Sequence, residues 1–455
     1  MHPILLLLPL ALAAVDAVPI TLDEALVDAG KGNVDLRIAS IDRSLVGVDE
    51  YASWAGVLPR LDLAATFGGI YTAPSTQNIS TIKSIQQKPD GSVVINYELA
   101  LQEIPANYLE NYTLGLTLSV PIFDGMRNWA NIARTKALFR AADQTYSEAA
   151  LTLSFQVTKA FYEVVRAERS LKVLQEAVRR SEVLVSRSDE LYQAGRAPRS
   201  ETWAARVTLG NDRIAAEQQL SRVSDARVAL SLALGRGADP ELRVAPPAYI
   251  EKATFQEPPE QAALVDLAKR KRPLLAADEQ KIMAASEAIR AAQAGYYPVI
   301  SAQASYNRQG PYIAGTQGVW GDPTGQYVAS FGVTVNWNLF EGRLTNANVQ
   351  RANLNEERTR LVFEQNFLSV TSEIARSRVA YQTLSASTVL AEENFKSARE
   401  NLLLAERRYD AGAGTQVEVR DALLNFTRAE LTLLQARIDA IIARADLNRA
   451  VGGAL

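Results

Sequence analysis

Few residues in this chain of 455 could do chemistry. There is no cysteine, which excludes disulfides, thiolate chemistry and a lipidated N-terminal Cys together. The only histidine is His2, inside Met1–Ala17. That segment has an apolar run from Ile4 to Val15, and then Val15-Asp16-Ala17 puts small residues at both cleavage positions. It reads as a signal peptide and is too short to span a membrane, although its start lacks the usual Lys or Arg. The cleaved chain has neither His nor Cys, so catalysis would have to run on carboxylates, Lys, Tyr or Ser. No metal-ligand cluster, nucleophile constellation or phosphate loop is visible. Glu418 and Asp421 stand one helical turn apart, but carboxylates at that spacing read first as a solvated helix face. A net charge of −3 gives no basic bias toward nucleic acid. Neither an enzyme nor a cofactor is expected.

The elements that must carry these residues are duplicated. Phe123-Asp124-Gly125 returns 217 residues later as Phe340-Glu341-Gly342, and Tyr192-Gln193-Ala194-Gly195 returns at the same offset as Tyr409-Asp410-Ala411-Gly412. Glu201 maps onto Glu418 and Gly235 onto Gly452 in that register. Upstream, Ala55-Gly56-Val57-Leu58-Pro59 resembles Ala294-Gly295-Tyr296-Tyr297-Pro298 at an offset of 239, so the first copy has the longer loop. The expected organisation is a signal peptide at 1–17, a first repeat at 18–235, a proline-rich linker at 236–260 and a second repeat at 261–455.

Each copy reads as helix, strand, loop, strand, long helix, tight turn, helix. Thr21-Leu22-Asp23-Glu24 is a capping box opening a helix toward Val57, with Gly30 and Gly32 expected to interrupt it. From Gly125 to about Leu191 there is neither proline nor glycine, which makes a helix on the order of 100 Å long. Its counterpart runs from about Arg343 to Tyr409. Val157, Val164, Leu171, Val178, Val185 and Tyr192 recur every seven residues, as do Ile374, Tyr381, Thr388, Phe395, Leu402 and Tyr409. That period implies supercoiling against partner helices. Gly195 and Gly412 sit where a left-handed residue ends a helix and reverses the chain.

Four segments alternate with period two, at about 60–72, 111–123, 298–308 and 327–340. Leu114, Leu116, Leu118 and Val120 face away from Thr113, Gly115, Thr117 and Ser119; Tyr327 through Leu339 alternates likewise. Apolar faces with aromatics near their ends are the pattern of outer-membrane barrel strands. Four strands cannot close a barrel, so several chains must share one. Thr72–Asn111 and Gly310–Gln326, rich in Pro and Gly, are expected to be loops.

The duplicated halves, glycine-ended turns and strand–helix order resemble the TolC-like outer-membrane efflux protein family, across essentially the whole cleaved chain. The resemblance implies a mixed α and transmembrane β fold: a homotrimer with a twelve-stranded β-barrel, four strands per chain, continuous with a long periplasmic α-helical barrel. It implies an outer-membrane export channel in a tripartite efflux or type I secretion system. The channel would be a passive conduit opened by a periplasmic adaptor (membrane fusion) protein and an inner-membrane transporter, with outer-membrane lipid as a further partner and no nucleic acid. By position it implies an acidic entrance ring of Glu418 and Asp421, and gate hydrogen bonding between Tyr409 and Glu201. Adaptor contact falls on the turns carrying Tyr192, Gly195, Arg408 and Gly412. Gly414 replaces the family's basic residue after the second turn. The competing reading is a secreted structural coiled-coil protein without a pore.

Overall fold

A computed structural model describes residues 19–247, 250, 255–315, 318–321 and 327–454. The signal-peptide segment lies outside them. The chain divides into a helical unit (up to Asp49, Arg134–Ala285 and Leu354–Leu455) and a strand-bearing unit (Glu50–Ala133 and Ser286–Asn353).

The Thr21 hydroxyl accepts from the Glu24 amide at 3.4 Å, and the Glu24 carboxylate accepts from the Thr21 amide at 2.9 Å. This reciprocal pair opens α1 (Leu22–Gly32). The break before α2 (Val34–Ser53) falls at Asn33, whose side chain accepts from the Leu36 amide at 3.1 Å and donates to the Ala233 carbonyl at 3.0 Å. Gly32 matters there for space, since a Cβ would stand 2.7 Å from the Leu234 carbonyl oxygen. Gly30 stays helical.

The breaker-free stretches form α3 (Arg127–Gln193) and α7 (Leu344–Asp410), 67 residues each. They turn back into α4 (Arg199–Ala233) and α8 (Gln416–Val451). Two shorter helices, α5 (Gln261–Lys271) and α6 (Pro273–Gln293), precede the second set of strands. The seven-residue rows supply the core: Val157 and Val164 are buried beside Phe161 and Tyr162, with Leu230 and Leu234 against them. Ile374 and Tyr381 pack on Leu264, Leu275 and Leu447. Each large apolar side chain so buried contributes about 2 kcal/mol. Thr388, the polar member of its row, donates to the Leu384 and Ala436 carbonyls at 2.9 and 3.2 Å, which satisfies it in the core.

The strand unit holds β1 (Arg60–Thr72), β2 (Ser75–Gln87), β3 (Val93–Ile104), β4 (Asn107–Phe123), β5 (Val299–Gly310), β6 (Tyr312–Gly315), β7 (Gly318–Gly321) and β8 (Tyr327–Asn336). Four of them make one antiparallel sheet in the order β1-β4-β5-β8. Two expectations need correction. Thr72–Asn111 is not a loop but holds the β2–β3 hairpin, which reverses through Lys88–Ser92 with Gly91 at φ +85°. Gly310–Gln326 likewise contains the short β6–β7 pair. The last strand stops at Asn336 instead of about 340, because its partner β5 begins at Val299, just after Pro298, which has no N–H for a further rung.

Candidate functional site

The sheet owes its chemistry to register. Leu63, Leu116, Tyr306 and Ala329 lie in one row across the four strands, and Leu61, Leu118, Ala304 and Phe331 in the next. The apolar positions therefore share a single face, and it is exposed: Phe331 retains 93% of its accessible surface. Phe67 packs edge-on to Tyr112 at 5.8 Å and Tyr306 stacks on Tyr327 at 5.5 Å, two aromatic pairs in neighbouring rows toward one end of that face. The opposite face is polar, with a Ser305–Ser330 hydroxyl bond of 2.8 Å and a Gln309 to Asn111 bond of 3.0 Å. A sheet apolar on its solvent-exposed side and hydrogen-bonded on the other is built for lipid outside and water inside. Among the described residues no helix is long and apolar enough to cross a membrane. Nor do they include a group of three His, Cys, Asp or Glu placed to hold a metal ion.

In the helical unit the two turns close alike. Gly195 (φ +66°) donates to the Tyr192 carbonyl at 2.9 Å, and Gly412 (φ +75°) to the Tyr409 carbonyl at 3.0 Å. Both turns use the left-handed conformation that only glycine adopts without strain. Thr415 caps α8 by accepting from the Glu418 amide at 3.3 Å. This places the Glu418 carboxylate in the first turn of α8, where the helix dipole favours an anion. Arg408 Nη1 lies 3.6 Å from Glu418 Oε2, and Arg420 Nη2 lies 3.4 Å from Asp421 Oδ1. Both carboxylates are solvent-accessible, and each has a guanidinium beside it that the sequence reading did not assign.

Tyr409 departs from expectation. Its hydroxyl is buried and finds no hydrogen-bond partner among the described residues, so the expected bond to Glu201 is not made. The ring is held by Arg187, whose guanidinium sits 5.0 Å from its centroid while pairing with Asp410. Burial pushes the phenol above its ordinary range, and the nearby Glu201 charge adds to the shift. Beneath the turns, Leu184, Ala205, Leu402, Val419 and Leu423 form a small apolar cluster that fixes the helix ends.

The outer membrane efflux protein family matches the chain over residues 52–236 and 264–453. The chain belongs to this family. The toluene efflux pump outer membrane protein TtgC of Pseudomonas putida is 23% identical over 365 residues, covering 77% of this chain and 73% of its own. OprJ of Pseudomonas aeruginosa is 24% identical, covering 75% and 70%, and TolC of Escherichia coli 26%, covering 74% and 68%. Among solved structures, CusC superposes with a TM-score of 0.77 at 17% identity, covering 96% of this chain and 93% of its own. VceC of Vibrio cholerae gives 0.73 at 18%, covering 95% and 96%. The chain is thus an efflux duct of the outer membrane, with its helical part in the periplasm. Membership overturns the secreted coiled-coil reading, which left the exposed apolar sheet face without a role. The family is one of transport conduits, not of enzymes.

Proposed function

We propose that the chain works as a homotrimer, the outer-membrane exit duct of a tripartite efflux or type I secretion system. The observation that supports this most directly is the sheet order β1-β4-β5-β8. It leaves β1 and β8 as open edges of a sheet whose exposed face is apolar, an arrangement that aggregates unless the edges are paired. Pairing β1 of one protomer with β8 of the next closes twelve strands around a water-filled lumen and leaves the apolar face to outer-membrane lipid. The helices carry matching seams. Val34, Ile38, Ile41, Leu45 and Val48 form an exposed stripe on α2 at alternating steps of four and three, and Leu354, Leu361 and Leu368 form one on α7 at steps of seven.

In this reading the glycine turns meet the periplasmic adaptor through Tyr192, Gly195, Arg408 and Gly412, and an inner-membrane transporter supplies the energy. Glu418 and Asp421 of three protomers line the entrance as an acidic ring, with Glu201 and Tyr409 beside it. The chain is cut after residue 17 and carries its repeats at 18–235 and 261–455 about a linker at 236–260. The test is the cleaved protein in detergent and in planar bilayers. A mass of three protomers with stable conductance is expected. A water-soluble monomer without conductance would overturn the proposal.

A further inference from the structure

The β2–β3 hairpin has a core-like face and, in a single chain, nothing to bury it against. The β1–β4 pairing runs from Arg60↔Ser119 to Thr72↔Asn107, and β2–β3 resumes in the same register at Ser75↔Ile104. Two residues are skipped on each strand, and that register sets Pro74 across from Pro105. Proline has no N–H, so the pair interrupts the ladder without shifting it. An even number of skipped residues preserves the alternation of faces. The face that carries Leu61, Leu63 and Phe67 therefore continues into Gln77, Ile79 and Thr81, paired with Gln102, Ala100 and Glu98. The face that carries Asp62, Ala64 and Thr66 continues into Thr76, Asn78, Ser80, Ile82 and Ile85 on β2, and Ile95, Tyr97, Leu99 and Leu101 on β3, which supplies most of its apolar side chains. Apolarity changes sides at the two prolines.

This inversion has a direct consequence, resting on the trimeric barrel proposed above. Below the prolines the apolar face looks out to lipid; beyond them it looks toward the channel axis. It is strongly exposed in the single chain, with Leu99 at 72% and Leu101 at 73%. Above Glu103 it carries no charge, because the Lys83–Glu98 ion pair (3.2 Å) and the Asn96–Ser84 bond (3.0 Å) lie at the bulge and on the back. Identical copies can therefore meet on this face without repulsion. An isolated two-stranded hairpin is marginal in water, and an apolar face about 20 Å long is rarely left bare. Threefold symmetry brings the same face of the other two copies to the axis side.

We propose that the three β2–β3 hairpins pack on one another through Ile82, Ile85, Ile95, Tyr97, Leu99 and Leu101 and narrow the outer mouth of the channel. The absence of cysteine makes the test direct. Trimeric, conducting preparations of Leu99→Cys and Ala100→Cys are oxidised and run without reductant. A cross-linked dimer several-fold stronger for Leu99→Cys is expected, because adjacent residues point to opposite faces. Leu99→Asp with Leu101→Asp should raise single-channel conductance, while Gln102→Asp on the back should not. Equal or absent cross-linking in a trimer that conducts overturns this inference alone, as does conductance unchanged by the paired aspartates. A monomer that does not conduct overturns the trimeric reading with it.

Discussion

Arg408 Nη1 stands 3.6 Å from Glu418 Oε2, tying the last turn of α7 to the first turn of α8. The pair sits at the helix reversal and is exposed, so its energetic value is small, within about 1 kcal/mol. In the proposed entrance ring its electrostatic role is to set how much of the Glu418 charge a passing ion would see. Glu418→Gln together with Asp421→Asn should lower cation selectivity in planar-bilayer reversal potentials. Arg408→Ala should raise it by uncovering Glu418. Selectivity indifferent to all three substitutions would reject the acidic ring.

The buried, unpartnered hydroxyl of Tyr409 makes a separate prediction. Tyr409→Phe keeps the ring under Arg187 and removes a polar atom that costs about 1–3 kcal/mol to bury unsatisfied. Thermal stability should hold or rise, whereas Tyr409→Ala should lower it. A fall for Phe matching that for Ala would mean the hydroxyl has a partner in the assembled protein. The sign of the titration follows from burial. The folded phenol is raised above its unfolded value, so this contribution is complete below about pH 10 and is lost above it.

Glu430 points the same way at lower pH. Burial raises its carboxyl above the ordinary value, Arg180 at 3.9 Å opposes the shift, and Glu176 adds to it. A raised folded value means its contribution is full below the unfolded value and lost as pH climbs through the folded one. Glu430→Gln should therefore raise the melting temperature at pH 7 and leave it unchanged at pH 4. A gain of equal size at both would refute the assignment.

Arg272 is 4% exposed and pairs with Glu148 at 2.7 Å and Glu373 at 3.4 Å, while also donating to the Arg449 carbonyl. Arg272→Leu strands the Glu148 carboxylate, while Glu373 keeps Arg449 at 2.5 Å, and should cost about 3–5 kcal/mol. Denaturant titration of the detergent-solubilised protein measures this, and a change below about 1 kcal/mol would show that Glu148 finds another partner.

Glycine spacing yields a paired control. Gly235 has φ +75°, and a Cβ there would stand 2.2 Å from the Gly32 carbonyl oxygen, so Gly235→Ala should destabilise strongly. Gly30 lies inside α1 with nothing within 4 Å, so Gly30→Ala should stabilise by about 0.5–1 kcal/mol. Melting temperatures moving in the same direction would contradict the packing described.

Local periodicity determined the parts whose physics is local. Heptad spacing fixed the buried row from Val157 to Val164 and from Ile374 to Tyr381, because a helix repeats its faces whatever it packs on. Alternation fixed which side of Leu114–Val120 is apolar, and Gly195 and Gly412 fixed the reversals, since few other residues tolerate a positive φ. The β2–β3 hairpin was missed although Val93, Ile95, Tyr97, Leu99 and Leu101 alternate beside an Asp90-Gly91 turn. On β2 the isoleucines come every third residue, at 79, 82 and 85: Ile79 lies on the opposite face, and a bulge between Ile82 and Ser84 brings Ile85 onto the face of Ile82, so no period of two shows, and the flanking prolines read as loop. Tertiary structure alone decided the rest: which strands are edges, that Arg408 rather than solvent faces Glu418, and that Tyr409 is clamped by Arg187 instead of bonded to Glu201. Such pairings join residues on different elements, and one-dimensional spacing carries no information about which helix face meets which.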